Sequence, residues 1–131
     1  MADALDCLSD EDVVMLQAKA YEFEVNEVGG TVHLVLKNYH IPEHYTPQTV
    51  ELLLQLPPNF PTIHPDMFWM TPEVRRSDNG AYPVNADQFY DYGGRRWQRW
   101  SRHLIAERWR PGTDCLQTYL GTIKRELKKG A

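Results

Sequence analysis

Thr49-Val50-Glu51-Leu52-Leu53-Leu54-Gln55-Leu56, followed at once by Pro57-Pro58-Asn59-Phe60-Pro61-Thr62-Ile63-His64-Pro65, decides the fold. The first eight residues are an apolar run of strand length, which predicts a strand more buried than its neighbours. The next nine hold four prolines. Each lacks a backbone N–H and fixes φ, so this stretch is neither helix nor central strand. It is a rigid, extended crossing out of the sheet.

On the amino-terminal side, Tyr21 to Val28 and Thr31 to Asn38 have period two, with Tyr21, Phe23 and Val25 alternating against Glu22, Glu24 and Asn26. Gly29-Gly30 between them signals a hairpin. A polar, proline-containing loop from His40 to Gln48 then leads into Thr49, giving a three-stranded antiparallel meander. Before the hairpin, Ser9 is placed to cap a short helix from about Asp10 to Ala18, with Asp10, Glu11 and Asp12 in the first turn, where the helix dipole favours anions. On the carboxyl side, Met67-Phe68-Trp69-Met70-Thr71, closed by Pro72, reads as a fourth strand, with Phe60 and Trp69 as core. From Glu73 to Arg110 no period is sustained, which predicts a long irregular loop, and loops of that length are usually functional. Thr113 or Asp114 then caps a last helix. Leu116, Tyr119, Leu120, Ile123 and Leu127 stand at helical spacing on one face, and Lys124, Arg125, Lys128 and Lys129 lie toward its end. Helix, four-stranded meander, crossing, loop and helix together predict an α+β fold over residues 1–131, one domain with its helices against one face of an antiparallel sheet.

Composition narrows the function. A chain of 131 residues, 42% hydrophobic, suits one core. A net charge of -4 and a pI near 5.7 argue against general adhesion to nucleic acid or anionic membrane. The basic charge is nevertheless segregated: six of the 14 Lys and Arg residues are arginines between Arg95 and Arg110, where Glu107 is the only acid. That segment suits an anionic or carboxylate-bearing partner. Two cysteines, Cys7 and Cys115, make neither a disulfide framework nor a metal set, and the amino terminus lacks the basic and apolar run of a signal peptide. A reduced, cytoplasmic protein is expected. No apolar stretch approaches the ~20 residues that cross a bilayer, so no membrane partner is expected.

The order of elements, Leu56 to Pro65 before a strand, and a Trp-x-Pro before a helix resemble the ubiquitin-conjugating enzyme (E2) superfamily, with its UBC-like fold. More closely, Pro65-Asp66-Met67-Phe68-Trp69, Trp97-Gln98-Arg99-Trp100-Ser101-Arg102-His103 and Trp109-Arg110-Pro111-Gly112 resemble the divergent bacterial E2-like family of the prokaryotic E2 family E type, encoded beside E1-like and ubiquitin-like proteins. The resemblance covers about Tyr21 to Leu127. It implies a carrier that accepts the activated C-terminus of a ubiquitin-like protein from an E1-like adenylating enzyme and passes it to a target that the sequence does not identify. No metal or organic cofactor is implied. In the superfamily the catalytic cysteine stands eight residues before the tryptophan of Trp-x-Pro, and eight residues before Trp109 stands Ser101. The usual His-Pro-Asn lies about ten residues earlier, where this chain has Tyr90-Asp91-Tyr92. His64-Pro65-Asp66 is no substitute, because it precedes the fourth strand, where the family carries paired prolines.

A serine holds an acyl group only if a base or nearby cations offset its poor acidity. His103 is the candidate base. Arg102, Arg99 or Arg96 are candidates to stabilise the oxyanion or to hold a carboxylate. Trp97, Trp100 and Trp109 either pack under the long loop or line a groove for the extended tail of the partner. Ser101 also has a plain structural reading, as a loop serine capping a turn. Cys115, in the first turn of the last helix, is the rival nucleophile, or else a small buried helix residue. A catalytically inactive E2-like module that binds the ubiquitin-like protein or scaffolds the E1-like enzyme is the alternative to a carrier. A third reading takes the arginines and tryptophans as a single-stranded nucleic-acid platform, against which the acidity of the chain counts.

Overall fold

The computed structural model describes residues 10–60, 65, 67–92, 94–101, 110 and 115–129. Helix α1 spans Asp10–Ala18 and α2 spans Leu116–Lys128. Between them run β1 (Phe23–Val28), β2 (Thr31–His40), β3 (Tyr45–Thr46), β4 (Thr49–Leu56), β5 (Phe68–Thr71), β6 (Arg75–Arg76), β7 (Gln88–Tyr92) and β8 (Arg95–Trp100). The α+β class stands, but the sheet is larger than a four-stranded meander. Six strands pair antiparallel in the order β1-β2-β4-β5-β8-β7, and β3 pairs with β6 in a separate two-stranded ladder.

The correction falls on the segment expected to be an irregular loop, which contains the β7–β8 hairpin. β8 pairs with β5 through Phe68↔Trp100, Trp69↔Arg99 and Met70↔Gln98, and with β7 through pairs such as Tyr90↔Trp97. Its alternation escapes a sequence reading because both of its faces are covered. Trp97, Gln98 and Trp100 are all buried, and arginines fill the remaining places.

On one face of the sheet, Leu34, Leu36, Leu52, Leu54, Phe68, Met70 and Trp100 form the main core with Leu16 of α1 and Leu116, Tyr119, Ile123 and Leu127 of α2. Both helices therefore pack against this face, as their apolar spacing requires. Trp100 stacks on Phe68 (centroids 5.5 Å apart) and meets Tyr45 edge-on at 5.6 Å. On the opposite face a smaller cluster joins Val35, Leu53, Trp69 and Trp97, with Met67 and Tyr92 packed against it.

The β7–β8 hairpin builds that second cluster by curling over the sheet. Four strand spacings separate β7 from β2, which at ~4.8 Å each is about 19 Å in a flat sheet. Yet the Tyr92 ring meets His33 of β2 at 5.5 Å and Trp69 of β5 at 5.9 Å. Arg95 at the hairpin tip pairs with Glu51 of β4 and lies 4.6 Å over the Trp97 ring. Trp97 Nε1 donates to the Tyr92 carbonyl at 3.2 Å, closing the tip. The turn runs through Gly94, whose φ of 74° is open to glycine at no steric cost.

Gln98 explains how the segment between β5 and β7 is held. Its side chain is fully buried, and its Nε2 donates to the carbonyls of Val74 (3.0 Å) and Ala86 (2.7 Å) while its Oε1 accepts from the Val74 N–H (2.7 Å). Replacing it with leucine leaves three buried main-chain groups without these partners. At ~1–3 kcal/mol for a buried unsatisfied group, with partial relaxation, Gln98→Leu is expected to lower stability by about 2–4 kcal/mol in urea unfolding.

The last helix starts one residue later than the expected caps allow. Cys115 is its N-cap, in extended conformation (φ -148°, ψ -173°), and its N–H donates to Thr118 Oγ1 at 3.3 Å. Thr113, Asp114 and Ser9 lie outside the described residues. Helix α1 has the expected bounds, with Leu16 fully buried. Among the described residues no helix is long and apolar enough to cross a membrane.

Candidate functional site

Ser101 follows β8 directly and is half-buried. Its position is fixed from two sides. Trp100, immediately before it, is locked in the main core, and the Ser101 N–H donates to the carbonyl of Asn85 at 3.0 Å. Asn85 has a left-handed backbone (φ 57°), a conformation asparagine tolerates better than most residues, and its side chain is exposed. The turn beneath it is closed by the Ala86 N–H on the Pro83 carbonyl at 3.1 Å. A hydroxyl at a strand end and an exposed amide are thereby held as backbone neighbours. No sequence pattern announces this pairing, because Asn85 precedes Ser101 by sixteen residues and the contact is made by main chain. The Pro83-Val84-Asn85 turn is the only local signal of it.

The other candidates divide between the two faces of β8. Arg96 is exposed on the helix side, with its guanidinium 4.1 Å over the Phe89 ring. Arg99 is half-buried on the opposite face, where its Nη1 donates to Tyr90 Oη at 2.9 Å and its guanidinium lies 5.1 Å from the same ring. Successive strand residues point to opposite faces, so Arg96 and Arg99 do not converge on one oxygen. Trp97 and Trp100 are split in the same way. Trp100 is completely buried, so the groove reading is corrected for this residue: its indole is part of the core that positions Ser101. Trp97 is 2% exposed but borders a hollow of about 250 Å³ under the curled hairpin, with Glu24, His33, Tyr92 and Arg95. His103, Arg102 and Trp109 lie outside the described residues.

Cys115, the rival nucleophile, is a free thiol at the N-cap of α2 rather than in its first turn. Its Sγ sits 3.8 Å from Thr118 Oγ1.

The model of the family described as Prokaryotic E2 family E matches residues 8–130. The chain belongs to this family. No curated protein and no solved structure matches it. For this E2 family member the match spans β8, Ser101 and the start of α2, so both candidate nucleophiles lie inside the family region.

The electrostatics of the helix-free face yield one further expectation. His33 is 8% exposed, and burial pushes its imidazole below the ordinary value near 6.5 by penalising the cation. The unfolded chain therefore takes up this proton at a higher pH than the folded one. The stability contributed by neutral His33 is present above the unfolded value and declines as pH falls through it. Between pH 7 and pH 5 the urea midpoint of the protein is expected to fall, and His33→Gln is expected to flatten that part of the profile. Glu24 runs in the same direction at lower pH. Lys37 Nζ, 2.6 Å away, holds its carboxyl below the usual range, and the benefit fades as the carboxyl protonates.

Proposed function

We propose that this E2 family member is a carrier in a bacterial ubiquitin-like conjugation pathway, with Ser101 as its acyl acceptor. In this reading the Ser101 hydroxyl attacks the activated C-terminal carbonyl delivered by an E1-like enzyme. The new C–O bond forms, the bond to the E1-like leaving group breaks, and the hydroxyl proton passes to a base, for which His103 is the sequence candidate. The resulting oxyester is then handed to an amine. The observation that carries the reading is the position of Ser101. It lies eight residues before Trp109 and ends a strand locked in the core, with its backbone bonded to Asn85.

Asn85 suits the task of stabilising the tetrahedral oxygen, since its residue is exposed, its amide is a neutral donor, and its main chain is bonded to that of Ser101. It supplies the residue type that the sequence lacks at the usual position. Arg102 has charge for the same task, and Arg99 lies two residues before the hydroxyl. The α+β architecture, with the first and last elements of the chain helices packed on one face of an antiparallel sheet, fits an E2-type fold, and the β7–β8 hairpin is the part added to a plain four-stranded meander.

The experiment is a charging reaction with the purified E1-like enzyme, its ubiquitin-like protein and ATP. An adduct on this chain that survives thiol reductant and disappears in strong base supports the reading. An adduct that depends on Cys115, tested with Cys115→Ala, contradicts it. A second reading is favoured by one observation, the serine at the place of the superfamily's cysteine. The domain is then an inactive module that binds the ubiquitin-like protein or scaffolds its E1-like enzyme. It predicts no adduct and a binding affinity that Ser101→Ala leaves unchanged.

A further inference from the structure

Gln98 reaches the turn that carries Asn85. Its Nε2 donates to the Ala86 carbonyl at 2.7 Å, and further along the same strand the Ser101 N–H donates to the Asn85 carbonyl at 3.0 Å. Two adjacent carbonyls of one turn are thereby tied to β8. The first tie is anchored from behind, because the same amide donates to the Val74 carbonyl at 3.0 Å and accepts from the Val74 N–H at 2.7 Å. Val74, Ala86 and Gln98 are all 0% exposed, so water does not compete for these bonds.

The turn needs such ties. Asn85 stands at φ 57°, a backbone conformation that costs free energy outside glycine and persists where the surroundings over-determine it. The bond from the Ala86 N–H to the Pro83 carbonyl closes the turn on itself, and the bonds from Ser101 and Gln98 place it against β8. Ser101 has its own anchor in Trp100, the preceding residue, which is 0% exposed in the main core. The two halves of the candidate site are thus held differently. The hydroxyl is fixed by an aromatic core, and the turn with Asn85 is fixed by a buried amide.

We infer that Gln98 is a positioning residue for this site: its buried amide sets where Asn85 stands relative to Ser101, and through that placement sets the rate at which Ser101 is charged. The kinetic half of this role rests on the carrier reading, and the structural half rests on the hydrogen bonds alone. Loss of the amide releases the Ala86 carbonyl and lets the turn shift or leave its left-handed conformation, while Trp100 keeps Ser101 in place. A misplacement of about 1 Å at a group that serves a reaction costs up to about 10²-fold in rate. Gln98 does not reach the surface, so its loss leaves binding of the E1-like enzyme unaltered.

The test compares Gln98→Met, which keeps the length of the side chain and removes its three bonds, with Leu127→Ala, which opens the same core at the last turn of α2. Gln98→Asn keeps an amide but is too short to span Val74 and Ala86 together, and it carries the same test if Gln98→Met does not fold. Hydrogen exchange of the ¹⁵N-labelled full chain reads the structure. In Gln98→Met the Ser101 N–H is expected to exchange about tenfold faster relative to the other amides of β8, a local change that Leu127→Ala does not produce. Charging with ATP and the ubiquitin-like protein, at rising concentrations of the E1-like enzyme, reads the chemistry. The maximal rate is expected to fall about 10- to 100-fold in Gln98→Met with half-saturation unchanged, while Leu127→Ala charges like wild type. Combined with Asn85→Gly, Gln98→Met is expected to cost little more, because the amide it places is gone. Unchanged Ser101 exchange, a charging loss no larger than in Leu127→Ala, or a loss fully additive with that of Asn85→Gly would overturn the positioning role and leave the carrier reading standing. No adduct on the wild-type chain overturns the carrier reading and the kinetic role together, and the Ser101 exchange then decides the structural role by itself.

Discussion

Trp100→Ala is expected to lower stability by about 3–5 kcal/mol, the range for removing a fully buried tryptophan. The indole is 0% exposed, and the core around it is aromatic: Phe68 stacks on it with an interplanar angle of 19°, and Tyr45 meets it at 76°. Truncation removes the ring and leaves a cavity that β5, β8 and the Tyr45 segment cannot all collapse into at once. Urea unfolding of the purified variant measures the loss directly. Trp100→Phe is expected to recover a substantial part of it, because a six-membered ring still stacks on Phe68. The change also reaches the candidate site through the chain. Ser101 is the next residue, and its Asn85 bond depends on where β8 ends.

Ser101→Ala is expected to abolish the covalent adduct in the charging reaction while leaving the urea midpoint within about 0.5 kcal/mol of wild type, because the half-buried hydroxyl adds little to packing. The companion variant is more telling. Ser101→Cys is expected to restore an adduct that thiol reductant now cleaves, since a thioester exchanges with thiols and an oxyester does not. It is also expected to discharge faster to amines. Asn85→Ala is expected to slow charging by about 10²–10³ if its amide serves the tetrahedral oxygen, the range for loss of one oxyanion donor. A main-chain role alone would leave the rate unchanged in Asn85→Gly, which retains the carbonyl that Ser101 uses and accepts the left-handed φ of 57°.

The amino-terminal half of the fold was legible because its signals are local. Gly29-Gly30 flanked by alternating residues specifies a hairpin, and β1 and β2 meet at that turn with Val28 opposite Thr31. Leu52, Leu53 and Leu54 are buried on both faces as their apolar run implies. The β7–β8 hairpin was not legible. Gln98 is polar yet fully buried, since its amide serves Val74 and Ala86, and Arg95, Arg96 and Arg99 occupy strand positions by lying over rings. Those substitutions erase the alternation on which strand reading depends. Of the candidate site, Ser101 could be found by counting from Trp109. Asn85 could not, because its proximity depends on β8 ending against the turn that follows Pro83. The division of Arg96 from Arg99, and of Trp97 from Trp100, between opposite faces could be seen only once those residues were known to form a strand.

The most direct test of the central claim is a peptide map, by mass spectrometry, of the adduct formed with the E1-like enzyme, the ubiquitin-like protein and ATP. The account predicts the ubiquitin-like C-terminus as an alkali-labile ester on the peptide containing Ser101. Attachment to the peptide containing Cys115 or to a lysine, or an unmodified chain after complete E1-like charging, would contradict it.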